Sequence, residues 1–275
     1  MKACEPDARV MFERRYSEWR RRMDDAGAAA AYPYAWRLPA SARLLGAREF
    51  ARAQLALAQT FFTLGRFAEA RAAIPEAGDL PADDAPRVRG LGARCAVLLG
   101  SQTVALPRPY TLAEHLESAH LALLSDHPES ILACMPMYQL AAAGDEKETV
   151  WSEVFSIWAM ARTSQCFTQE RAQAALARLR LLTAAGTAHA EAILAEAAFH
   201  HAPAWSLVWL DAALDQCARY AQHHVEANLL WCKARALEAA GRISEAERFQ
   251  ALAASLARRQ GCVFRVTNVP AVIRP

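Results

Sequence analysis

Stacked helix pairs in an all-α repeat are the fold this sequence predicts, and three observations predict it. Hydrophobic residues make up 54% of the 275. Much of that share is alanine, which has the highest helix propensity and lets helices approach closely. Valine, isoleucine and threonine, the material of strands, are sparse. The second observation is a recurring break at Leu64-Gly65, Leu99-Gly100, Ala143-Gly144, Ala185-Gly186 and Ala240-Gly241, where a glycine just past a helix can turn left-handed without a Cβ clash. The third is a repeat: Ala-Leu stands at 175–176, 213–214 and 251–252, 38 residues apart each time. That period suits a helix pair, which buries its apolar face only by stacking on neighbours.

Breakers and caps divide the chain into about twelve helices. The expected spans are 6–25, 41–64, 67–77, 84–100, 111–125, 128–143, 146–162, 168–185, 188–200, 203–221, 224–240 and 243–260. Thr111 with Glu114, and Asp145 with Glu148, have the spacing of a capping box. Pro203 sits where a first-turn proline costs no hydrogen bond. Pro107-Arg108-Pro109 breaks the pattern and marks an inserted loop. Three regions result: a basic helix and linker over 1–40, a repeat domain over 41–261, and an extended tail over 262–275. The tail stretch Cys262 to Val269 is strand-like and suits either folding back on the last repeat or strand addition to a partner.

The stretch from Leu57 to Arg71 resembles a tetratricopeptide repeat. With Gly65 as its turn glycine, Leu57, Ala58 and Phe61 fill the signature places of the first helix. Ala70, Ile74 and Ala77 fill those of the second, and Pro81 falls near the terminal proline. A second match runs from Ala234 through Gly241 to Ala253, with Lys233 where the family prefers leucine. The C-terminal units, ending Ala251 to Gly261, also resemble repeats of large bacterial transcription regulators of the maltose-activator type. The resemblance covers about 50–77 and 168–261 and implies a right-handed α-solenoid. Counted from Gly65 and from Gly241, the helix at 168–185 takes opposite roles, which places one irregular helix near Pro107–Pro109. Nine residues before each turn glycine, where some family members carry a peptide-clamping asparagine, stand Ala56 and Cys232; that clamp is not expected.

A formal net charge of +2 does not argue for nucleic acid or membrane as the main partner. Only Lys2, Lys147 and Lys233 among the 31 basic residues are lysine, a bias that suits a GC-rich bacterial genome. Seven dispersed cysteines with no CxxC suggest reduced thiols and a cytoplasmic setting. The N-terminus reads as lacking an apolar signal segment, and the longest uncharged run, Ser130 to Gly144, is too short to span a bilayer.

No nucleophile elbow, phosphate-binding loop or zinc helix is present, so no enzyme, cofactor or metal is called for. Gly90-Leu91-Gly92 starts like a dinucleotide fingerprint but lacks its third glycine and any preceding strand. His200-His201 and His223-His224 bracket one helix, and His115 and His120 point to different sides of another; solvation at helix ends is the favoured reading of all six. Trp151, Phe155 and Trp158 form an i, i+4, i+7 stripe, and Trp205 with Trp209 repeats the spacing. Core packing is favoured for these five; the sharper reading is a binding site for a partner. Arg14, Arg15, Arg20, Arg21 and Arg22 interleave with Glu13, Glu18, Asp24 and Asp25, as on a solvated, ion-paired helix. The expected function is a non-catalytic scaffold that binds a protein or peptide, a bacterial regulatory or secretion-associated adaptor. The alternative is a signal-sensing module of a transcription regulator that holds a small ligand and acts through a partner. Without a helix-turn-helix, direct contact with nucleic acid is not expected.

Overall fold

The computed structural model describes residues 7–76, 78, 80, 84–100, 108–163 and 167–262. Among them are thirteen α-helices and no strand. They are α1 (Ala8–Asp25), α2 (Ala28–Ala42), α3 (Ala47–Thr63), α4 (Phe67–Ala73), α5 (Ala85–Leu98), α6 (Leu112–Leu124), α7 (Pro128–Ala141), α8 (Glu146–Arg162), α9 (Gln169–Arg180), α10 (Ala184–His201), α11 (Leu207–Tyr220), α12 (His223–Ala239) and α13 (Ile243–Gln260). Each helix packs on the next, giving an all-α helical repeat fold.

Local chemistry sets most of the boundaries. Thr111 and Glu114 complete a capping box at the start of α6. At α8 half of the expected box forms: the Glu148 amide donates to the Asp145 carboxylate at 3.1 Å, while the Glu148 carboxylate accepts instead from the Tyr138 hydroxyl at 3.0 Å. Gly65, Gly100, Gly144 and Gly241 end their helices with positive φ. Gly186 does not. It lies in the first turn of α10, where its amide donates to the Thr183 hydroxyl at 3.1 Å, so the break between α9 and α10 falls at 181–183. Pro203 opens a short 3-10 turn, Pro203–Trp205, rather than α11 itself.

One helix departs from expectation altogether. α2 occupies a stretch that the prolines at 33 and 39 mark as broken. It buries Ala28, Ala31, Ala35, Leu38 and Ala42 completely. Their alternating three- and four-residue spacing is one helical face, and its packing on α1 and α3 outweighs the lost backbone hydrogen bonds.

Small residues let the pairs close. Ala70 is fully buried and Ala246 nearly so, each just inside the second helix of a glycine-linked pair. Ala70→Trp or Ala246→Trp is therefore expected to lower stability by roughly 1–3 kcal/mol or more. Unchanged denaturant midpoints in both variants would remove the two pairings. Lys233, placed where leucine suits the repeat, reaches past the contact: its Nζ pairs with Asp211 at 2.5 Å and lies 4.0 Å from the centroid of the Phe249 ring. The basic face of α1 is ion-paired as expected, with Arg21 and Arg22 both on Glu18 at 2.7 and 2.8 Å.

The curl of the stack positions the site. α3 touches α5 on one side and α12 on the other, and α1 touches both α3 and α10. Lys147 of α8 pairs with Asp24 at the end of α1, 3.3 Å away, and the Thr183 hydroxyl donates to the Asp24 carbonyl at 3.2 Å. The first helices thus meet the last, and the inner surface closes on itself. No helix among the described residues is long and apolar enough to cross a membrane.

Candidate functional site

A cavity of about 680 Å³ occupies the axis of the ring. Its walls come from α1, α3, α5, α6, α8, α10 and α12 and their caps, and from no other helix. Inner helices alternate with outer ones except at α5 and α6, which are consecutive and both face inward. The phase slip expected near Pro107–Pro109 falls between these two; residues 101–107 lie outside the described residues.

The slip brings α5 and α6 into close contact at Gly90. A Cβ there would stand 2.6 Å from the Glu117 Cβ, so glycine is needed for packing. Over this contact Arg94 of α5 and Glu117 of α6 form an ion pair, with Nη2 and Oε2 3.0 Å apart. The alignment is poor: Arg94 Nε and Glu117 Oε2 find no hydrogen-bond partner among the described residues. Burial pushes the Glu117 carboxyl above its ordinary range, against the pull of Arg94.

From this pair a belt of five aromatic rings runs across the cavity, one from each inner helix other than α1 and α5. The Arg94 guanidinium lies 4.9 Å from the Phe62 ring centroid. Phe62 is 5.3 Å from His224, His224 is 4.7 Å from His189, and His189 is 5.5 Å from His120. Trp151 closes the belt at 6.0 Å from His120 and 5.4 Å from His189. Below it lies a smaller apolar cavity of about 100 Å³, bounded by Val97, Leu98, Leu123 and Ile193, and His224 reaches both spaces.

The three belt histidines are half-buried, lining the cavity and packed among one another. Desolvation is the main cause that holds all three below the ordinary imidazole range, with the Arg94 charge adding to it; His189 falls to about 4. All three are neutral near pH 7. His120 Nδ1 is 3.0 Å from the Leu116 carbonyl, whereas His224 Nδ1 has no hydrogen-bond partner among the described residues. The rings are close, but among the described residues no group of three or more His, Cys, Asp or Glu is placed to hold a metal ion.

The cavity mouth is built from the starts of helices. The residues that cap α6, α8, α10 and α12, namely Thr111, Asp145, Thr183 and Gln222, all line it, so four helix N-termini open onto one space. Arg20, Arg87 and Lys147 stand on the same wall. The opposing carboxylates are engaged: Asp24 holds Lys147, Asp145 caps α8, and Glu148, raised by burial, accepts from Tyr138.

The expected site residues separate into two places. Trp151 belongs to the belt. Phe155 and Trp158 are fully buried in the core, and Phe155 packs edge-on against His120 at 4.9 Å. Trp205 and Trp209 flank Phe167 at 6.2 and 5.9 Å, away from the cavity, and Trp209 lines a separate groove of about 440 Å³ along α9 and α11. Of the six histidines read as solvated helix ends, His201 and His223 fit, while His200 lies in the last turn of α10 with its side chain mostly covered. His223 bonds Glu226 at 2.9 Å, and His200 stands 3.5 Å from Glu196. The other three correct that reading. His115 is buried and stacked on Tyr138, and His120, inside α6, and His224, in the first turn of α12, are belt residues. Five cysteines are described, all free thiols; burial raises each of them, Cys95 to about 11, which makes them inert at neutral pH.

No family model matches the chain, and no curated protein matches it. What fold and site define is a class: a helical repeat protein closed around a polar, aromatic-floored cavity.

Proposed function

We propose that this chain is a non-catalytic binding protein of the tetratricopeptide kind that holds a small ligand in its central cavity and signals through a protein partner. One observation carries this reading: the cavity is walled by helices from both ends of the chain, so a bound molecule bridges the first repeats to the last. At about 680 Å³ it lies in the ordinary range for small-molecule pockets and is too small for a folded partner. Binding there stabilises the closed ring over any opened form. The neutral imidazoles and the carboxylates engaged with the protein itself suit recognition rather than acid–base chemistry.

The test is retention of small molecules. Immobilised protein incubated with a bacterial metabolite extract, washed and denatured, is expected to release a discrete compound by mass spectrometry. Ala113→Trp, which fills the cavity from α6, is expected to lose it while keeping a helical circular dichroism spectrum. Equal retention by the folded variant would refute the cavity as the site.

The protein- or peptide-binding scaffold is the second reading, favoured by the outer groove. Beside Trp209, Val208 is 77% exposed and Trp205 46%, apolar surface of the kind partners cover.

A further inference from the structure

The cavity reading says where a ligand sits; the arrangement around Arg94 says what chemistry it carries. Glu117 is nine-tenths buried and pressed over Gly90, yet it meets Arg94 without an aligned hydrogen bond. A buried carboxylate in that state costs free energy that its one cation does not fully offset. A guanidinium with unused donors is suited to a planar two-oxygen anion presented head-on. Of the other cations on the wall, Lys147 is paired with Asp24 and Arg87 with Asp84, at 3.3 and 3.4 Å, while Arg20 lines the same space.

We propose that the central cavity takes a small aromatic carboxylate, whose carboxylate replaces Glu117 on Arg94 and whose ring lies on the belt formed by Phe62, the three histidines and Trp151. This deepens the small-ligand reading and rests on it. Four inward-opening helix N-termini favour an anion over a cation. The belt offers flat faces for a ring, and its histidines, neutral near pH 7, add donors and acceptors without adding charge. His224 itself lines the cavity, and its buried Nδ1 has no hydrogen-bond partner among the described residues. A singly charged acid matches the site better than a phosphate dianion, because Asp24, Asp145 and Glu148 share the wall.

The exchange has a proton balance. The ligand arrives as an anion and takes the place of the Glu117 charge. Glu117, released from Arg94 and still buried, takes one proton from solvent and becomes the neutral acid, so the net charge of the site is unchanged. Binding is therefore expected to consume about one proton per ligand near neutral pH.

Isothermal titration calorimetry with phenylacetate, phenyl phosphate and phenethylamine, in buffers of different ionisation enthalpy, tests this. Phenylacetate is expected to bind with proton uptake, phenyl phosphate more weakly, and phenethylamine not at all. Glu117→Gln, close in shape, is expected to keep phenylacetate binding and abolish the uptake. Arg94→Gln is expected to weaken binding about tenfold or more; should it fail to fold, Glu117→Gln decides alone. No phenylacetate binding up to millimolar concentration, preference for the amine, or uptake unchanged in Glu117→Gln each overturn the proposal. A compound retained from extract in a cavity-dependent way, but neutral or cationic, overturns the ligand class while leaving the cavity reading standing. Equal retention by the folded Ala113→Trp variant removes both.

Discussion

Gly27→Ala is expected to open the ring and to lower stability by roughly 2–4 kcal/mol, the combined cost of a left-handed alanine and a backbone collision. Gly27 joins α1 to α2 with φ +82, a conformation that L side chains rarely adopt. A Cβ at this position would fall on the Tyr220 carbonyl, with the Tyr220 Cα 2.9 Å away. The glycine thus lies where the second residue of the α1–α2 turn meets the end of α11, a contact between the first and last thirds of the chain. Nothing flexible is there to yield, because the neighbour is main chain. Closure elsewhere depends on polar contacts of the same α1 end, Lys147 to Asp24 and Thr183 to the Asp24 carbonyl, so displacing it loosens them together. The measurement is twofold: a urea midpoint, and the radius of gyration from small-angle scattering, expected to rise in the variant. A midpoint and radius equal to wild type would show that the α1–α2 turn does not bear on α11 in solution.

That contact also shows where sequence reading stops. The helix pattern, the capping box at Thr111 and four of the five turn glycines are local signals, and each is legible within a window of one turn. α2 was legible in part: the apolar face from Ala28 to Ala42 is written in the sequence, but Pro33 and Pro39 mask it, because their cost is local and the burial that offsets it is tertiary. The phase conflict between the two repeat matches is a true non-local signal; it calls for one irregular helix, and the break at Pro107–Pro109 places that near the junction of α5 and α6. The belt is different. Phe62, Arg94, His120, Trp151, His189 and His224 come from six helices spread over most of the chain, and no spacing rule links them. His224 reads as a helix-end residue for a sound reason, since helix ends are ordinarily solvated; His120 lies inside α6, and it is closure of the ring that brings both to the cavity wall. Trp151, singled out by its stripe with Phe155 and Trp158, is the one belt member whose spacing marked it as a candidate.

The belt makes stability depend on pH in a defined direction. In the unfolded chain each histidine titrates near 6.5; in the folded protein His189 stays neutral down to about 4, held there first by desolvation and then by the Arg94 charge, and His120 and His224 are lowered as well. Between these limits the unfolded state binds protons that the folded state refuses, so stability falls as pH drops from 6.5 toward 4. For His189 alone, going from pH 7 to pH 5 corresponds to a loss of up to about 2 kcal/mol at 1.36 kcal/mol per pKa unit. Buried carboxyls act the other way: Glu117, Glu148 and Glu191 are all raised by burial, bind protons more readily when folded, and gain stability in acid. The two sets act in opposite directions, so the net curve of the wild type is not the diagnostic quantity. The difference between wild type and His189→Phe is. Phenylalanine keeps a ring in the belt, leaves the carboxyls in place and removes the proton. Urea midpoints at pH 7 and pH 5 are expected to show the wild type losing about 2 kcal/mol more than His189→Phe over that interval. Parallel losses in the two proteins would mean that His189 takes up its proton in the folded state near its ordinary pKa, and that the belt is open to water.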